Sequence, residues 1–178
     1  MERNVKFFIE QIALCPPRPD EALLLLTALG LDEWALDTVT AVGEVWGGEH
    51  PERNVAELAF NYQSSRGVET YDPVTQFATG NSSAAKPLEL EVLHYREGNN
   101  WMQGSAPRVS HLGMHVTVDE HERFDNTLRG LGYKVAQAVR TTSHTNPAIA
   151  GKRVYDYFIY DTYVVLGVDL KFIIRHVL

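Results

Sequence analysis

The chain has 178 residues, enough for one good hydrophobic core or two small half-domains that share one. Apolar residues make up 44% and charged residues 22%, an ordinary soluble composition, and the net formal charge is −7 with no basic run, which argues against nucleic acid as the main partner. A single cysteine, Cys15, excludes an internal disulfide and a four-cysteine zinc site and fits a reducing, cytoplasmic setting.

In chain order, "VKFFIEQIAL" (5–14) is rich in β-formers and is stopped by Pro16 and Pro17, so it predicts a strand. "RPDEALLLLTALGLDE" predicts a helix opened by Pro19 or Asp20, with the leucines on its buried face and Gly30 as its stop. Its apolar run, "ALLLLTALGL" (22–31), is about half of the ~20 residues that a membrane span requires. No membrane partner is expected, and the N-terminal stretch reads as structure and not as a signal peptide. Strands follow over 36–46, 54–63 and 88–95, the last two separated by a long polar, small-residue loop over 64–87. "REGNNWMQGSAPR" is a polar connector. Beyond it come a strand in "VSHLGMHVTV", a helix in "DEHERFDNTLRGLGY" ending at Gly132, and strands in "KVAQAVRTTSH", "KRVYDYFIYD" and "YVVLGVDLKFIIRHVL".

Each half reads strand, helix, strand, strand, strand, and the helix ends correspond: "ALGL" (28–31) against "GLGY" (130–133). This repetition predicts an internal duplication, although an α+β chain can produce such an order by coincidence. The expected division is 1–96 for the first βαβββ module, with its loop at 64–87, then a connector at 97–107 and a second module at 108–178. Aligning "EQIALC" with "SHLGMH" places Gln11 over His111. Aligning "LEVLHY" with "LKFIIR" places Glu91 over Lys171. Side chains alternate across a strand, so these four stand at equivalent points of the two halves and can converge on one concave cavity.

The duplicated βαβββ order, with "SHLGMHV" at a module-opening strand and "LELEVLHYREG" at a module-closing one, resembles the vicinal oxygen chelate superfamily of glyoxalase I, extradiol dioxygenases, methylmalonyl-CoA epimerase and the bleomycin- and fosfomycin-resistance proteins. The resemblance spans nearly the whole chain as element order, and its residue-level support lies in those four strands. It implies an α+β, glyoxalase-like fold in which two modules form a partly closed, barrel-like mixed sheet. It also implies metal ligands at Gln11, Glu91 and His111, the first three in the order of glyoxalase I. The fourth position departs from the pattern: the family's glutamate is replaced by Lys171, with Asp169 two residues earlier on the same strand face as a substitute if the register shifts.

A divalent metal that binds substrate oxygens needs several oxygen or nitrogen donors and open coordination positions. An amide oxygen from Gln11, a carboxylate from Glu91 and an imidazole from His111 would supply three donors, suited to Fe, Mn, Ni or Zn. Lys171 would face the substrate or stabilise charge, and His115, on the same strand face as His111, would touch substrate or support the ligands. The plainer alternatives are a polar strand-end residue at Gln11, a solvated Glu91 and hydrogen-bonded structural histidines at 111 and 115. Cys15 has no local partner that would mark a nucleophile. Tyr155, Tyr157 and Asp161 share one strand parity and could line a pocket.

The leading expectation is a small metal-dependent enzyme acting on a small oxygenated organic molecule by lyase, isomerase or dioxygenase chemistry. The loss of the fourth-ligand glutamate, which often doubles as general base, argues against glyoxalase activity itself. The rival is a metal-free protein of the same fold that binds or sequesters a small molecule, as bleomycin-resistance proteins do, with Lys171 replacing the ion's charge and Trp46 and Trp101 as stacking surfaces. A third reading is an interaction protein working through the 64–87 loop, which is otherwise expected to be mobile or to cover the cavity mouth. Assembly as a homodimer is left open.

Overall fold

Asp37, Val39 and Ala41, every second residue of one strand, are buried while their neighbours are less so, the period of two of a strand with one face turned inward. A computed structural model describes residues 6–45, 50–62, 88–97 and 110–178. Its elements are β1 (Gln11–Leu14), α1 (Pro19–Ala28), β2 (Ala35–Val45), β3 (Glu52–Asn61), β4 (Glu89–Tyr95), β5 (His111–His115), α2 (Val118–Gly130), β6 (Val135–Ser143), β7 (Arg153–Tyr160), α3 (Tyr163–Leu166) and β8 (Asp169–Val177). The fold is mixed α+β: the described residues form three helices outside a closed, mixed eight-stranded barrel in the order β1-β4-β3-β2-β6-β7-β8-β5.

The two ends of the chain contribute the same neighbour relations. β1 runs parallel to β4 and β5 parallel to β8, while β2–β3, β3–β4, β6–β7 and β7–β8 are antiparallel. Two antiparallel seams join them, β1 with β5 and β2 with β6. The second seam runs from Val39–Ser143 to Val45–Gln137 and closes the barrel where a partly closed sheet was expected. Gly43 permits this: a Cβ there would lie 2.1 Å from the Ala138 carbonyl oxygen. Closure removes both sheet edges.

Residues facing the barrel interior, among them Val39, Ala41, Val45, Leu93, Tyr157 and Ile173, form one apolar cluster. A second cluster lies outside, where α2 packs Phe124 against Phe172 of β8 with ring centroids 4.7 Å apart. α2 starts at a capping box: Thr117 accepts from the Glu120 amide, and the Glu120 carboxylate accepts from the Thr117 amide. Both longer helices end alike. Gly30 and Gly132 adopt φ of 96° and 90°, and the next residue's N–H reaches back to Leu26 and to Leu128.

Three local expectations are corrected. The first strand is only Gln11–Leu14, because the residues before it are joined to the sheet by isolated bonds such as Glu10 N–H to the Gly113 carbonyl. The leucines of α1 do not fill a buried face: Leu24, Leu25 and Leu29 are exposed. Four consecutive leucines span more than one side of a helix, so only Leu23 and Leu26, three apart, can turn partly inward together. Tyr163–Leu166 is a helical turn and not strand, ended by Gly167 at φ 75°. Asp169 fixes that turn, its Oδ1 accepting the N–H groups of Thr162 and Tyr163.

Among the described residues, no helix is long and apolar enough to cross a membrane. The 64–87 loop, nearly all of the 97–107 connector, Trp46 and Trp101 lie outside the described residues.

Candidate functional site

Two transverse rows of residues cross the β4–β1–β5–β8 part of the barrel. Backbone register sets Ala13 of β1 beside Glu91 of β4 on one side and His111 of β5 on the other. One step along, Gln11 lies beside Glu89 and Gly113, and Gly113 lies beside Lys171 of β8. In each row a residue with little or no side chain separates larger polar ones. Ala13 lets Glu91 and His111 approach across it, and Gly113 leaves room for Gln11, since a Cβ at 113 would lie 2.9 Å from Gln11 Oε1.

The polar groups consequently meet in the barrel interior. His111 Nε2 is 3.2 Å from Gln11 Oε1 and 3.6 Å from Glu91 Oε2. Lys171 Nζ donates to Gln11 Oε1 at 3.3 Å, pairs with Glu91 Oε2 at 3.7 Å and stands 5.0 Å from the centre of the Tyr157 ring. The other end of the Gln11 amide donates to Glu89. All five polar residues, Gln11, Glu89, Glu91, His111 and Lys171, are buried.

Electrostatics separate the two glutamates. Burial pushes the Glu89 carboxyl above the usual range, against the opposing effects of His115, Gln11 and Tyr62. Burial acts on Glu91 in the same direction but is outweighed by the Lys171 ammonium and by His111, so its carboxyl is held below the usual range. Glu91 is therefore held toward its anionic form beside Lys171. Burial, with a smaller push from Glu91, raises the Cys15 thiol to about 11, which leaves it without thiolate character at neutral pH. Tyr157, whose hydroxyl donates to Gln137 Oε1 at 3.2 Å, is likewise held protonated by burial.

A cavity of about 120 Å³ opens above this cluster, bounded by Gln11, Glu89, Glu91, Lys171, Tyr155 and Tyr157 on the cluster side. His115 also faces it, held by Glu10, whose Oε2 accepts the His115 backbone N–H at 2.8 Å and lies 3.2 Å from Nδ1. His111 sits behind Gln11 and Glu91 and does not line the cavity. Asp161 lies past the end of β7 and Asp169 is committed to the α3 turn, so neither joins the cluster. Glu89 was missed as a site residue although it shares the parity of Glu91 two residues along. Asp37, Tyr62 and Ser143 were missed as well; Asp37 comes from a strand with no other polar residue at its parity.

As placed, the donor set does not fit a divalent ion. The Lys171 ammonium donates to Gln11 Oε1 and lies 3.7 Å from Glu91 Oε2, so a dication there would share both oxygens with a like charge. Among the described residues, no group of three or more His, Cys, Asp or Glu side chains is gathered to hold a metal. No protein-family model matches the chain, and no curated protein matches it significantly.

Proposed function

We propose that the chain is a small-molecule binding protein with the paired βαβββ architecture of the vicinal oxygen chelate superfamily, in which the Lys171 ammonium stands where relatives hold a metal. The observation that carries this reading is the contact of Lys171 Nζ with both Gln11 Oε1 and Glu91 Oε2 inside the barrel. The matching neighbour relations of β1–β4 and β5–β8 support the architecture. A lysine amine is a compact monocation that satisfies one carboxylate and one amide oxygen, and it would repel a dication at the same spot. The buried cluster then supplies a rigid polar floor and the cavity above it the binding volume.

A second reading keeps the metal-dependent enzyme, with Gln11, Glu91 and His111 as ligands. The proximity of His111 Nε2 to both other groups favours it. It requires Lys171 to swing away or lose its proton. Calorimetric titration with Ni(II), Mn(II) and Zn(II) distinguishes the two. The first reading expects no binding by the native chain and measurable binding by Lys171→Glu, which supplies a carboxylate as the fourth ligand. Binding by the native chain overturns it in favour of the second.

A further inference from the structure

The wall of the barrel cavity carries a carboxyl group outside the Lys171 cluster. Asp37, the third residue of β2, is 3% exposed and lines the cavity. Its Oδ1 is fully used: it accepts the N–H of Asn146 at 3.0 Å, the N–H of Thr145 at 3.2 Å and the Thr145 hydroxyl at 3.3 Å. Among the described residues, its Oδ2 is buried without a hydrogen-bond partner. Ser143 Oγ, on the neighbouring strand and also lining the cavity, is in the same condition. Both stand next to one step of the β2–β6 seam, where Val39 pairs with Ser143.

The remaining ionisable groups on the cavity wall already have answers. Glu91 is paired with Lys171, and His115 is held by Glu10. Glu89 takes the Gln11 amide and is pushed by burial toward its neutral form. Asp37 is left as a buried carboxylate with no cation beside it among the described residues. Isolated buried charges cost several kcal/mol unless a partner arrives. Aromatic and apolar side chains share the lining with it: Phe60 and Tyr62 stack at 6.5 Å, and Tyr155 and Ile149 also face the cavity. An ammonium meeting a carboxylate at one end, with rings along its path, is a favourable combination.

We propose that this cavity takes a small primary amine in its ammonium form, with the charged nitrogen on Asp37 Oδ2 and Ser143 Oγ and the apolar body against Phe60, Tyr62 and Tyr155. The inference rests on the small-molecule binding reading above and names its ligand class. Size limits the apolar body, which all three probes below share: the cavity of about 120 Å³ is close to the ~150 Å³ known to hold a benzene ring, so that body is about one small ring.

The test uses the full chain and three probes of one shape: benzylamine, benzyl alcohol and benzoate. Each is followed by calorimetry and by ligand-observed NMR near neutral pH. Benzylamine is expected to bind about tenfold to a hundredfold more tightly than benzyl alcohol, the margin of one charge-assisted hydrogen bond, and benzoate not at all. Asp37→Asn keeps an oxygen for Thr145 and Asn146 but removes the charge, and it should abolish the amine's advantage while leaving benzyl alcohol unchanged. Should Asp37→Asn fail to fold, the ranking of the three probes on the native chain and a several-fold loss of amine affinity in Ser143→Ala carry the test. Equal affinity for amine and alcohol, preference for benzoate, or no binding of any probe overturns the amine proposal. Binding of benzyl alcohol or benzoate without an amine preference leaves the binding-protein reading standing. Metal uptake by the native chain removes that reading independently.

Discussion

Replacing Lys171 with methionine keeps most of the side-chain stem and removes the ammonium. Glu91, with a side chain 3% exposed, then remains as a buried carboxylate without its cation. Breaking a buried pair from one side costs about 3–5 kcal/mol. His111 Nε2, 3.6 Å from the same oxygen, can take over part of the role by gaining a proton, which favours the lower end of that range. For a chain of this length each kcal/mol lowers Tm by ~2–4 °C, so the variant should melt about 6–20 °C below its parent at neutral pH.

The pH dependence follows from Glu91. In the parent its folded pKa is lowered, so its contribution is present above the unfolded value near ~4.3 and is lost as pH falls through the folded value. In Lys171→Met burial prevails and the folded pKa rises. The variant then holds a proton when folded, and its stability is greatest at low pH and lost as pH rises through that raised value. The gap between variant and parent should be widest at pH 7 and narrow toward pH 5. Urea unfolding at both pH values measures it by linear extrapolation. Adding Glu91→Gln, which removes the stranded charge, should recover most of the loss. A difference under ~0.5 kcal/mol at pH 7, or one that does not change with pH, would refute a buried Lys171–Glu91 pair.

Gly43→Ala should cost about 3 kcal/mol or more in chemical denaturation, because its Cβ meets the Ala138 carbonyl at 2.1 Å and forces the β2–β6 seam apart; amide exchange should quicken first along that seam. Thr117→Ala removes one half of the capping box of α2 and should lower stability by about 1 kcal/mol in the same assay, with a small loss of helical circular dichroism. Cys15 should resist alkylation by iodoacetamide at pH 8, its rate rising about tenfold per pH unit up to the region of its raised pKa, whereas a rate like that of free cysteine would contradict its burial.

Alternation and breaker residues act over a few positions, so much of the fold's local order could be read directly. Gly30 and Gly132 end their helices as their positions suggest, and strands form at β2, β3, β4, β6 and β7 within a residue or two of the expected spans. Aligning the two halves picked out Gln11, Glu91, His111 and Lys171, which meet in the barrel, but strand parity alone would also have admitted Asp169, and Glu89 was passed over. The same logic failed at Tyr163–Leu166, whose β-formers are overruled by the Asp169 side chain capping a turn, and at α1, whose leucines outnumber the positions on one helix face. What tertiary structure alone decided lies between strands. Closure of the barrel depends on β2 meeting β6 across about a hundred residues of chain, which no local pattern encodes. The occupation of Gln11 and Glu91 by Lys171 depends on Ala13 and Gly113 standing between them in the sheet. The unanswered carboxylate of Asp37 depends on which groups its neighbours on β6 leave without a donor.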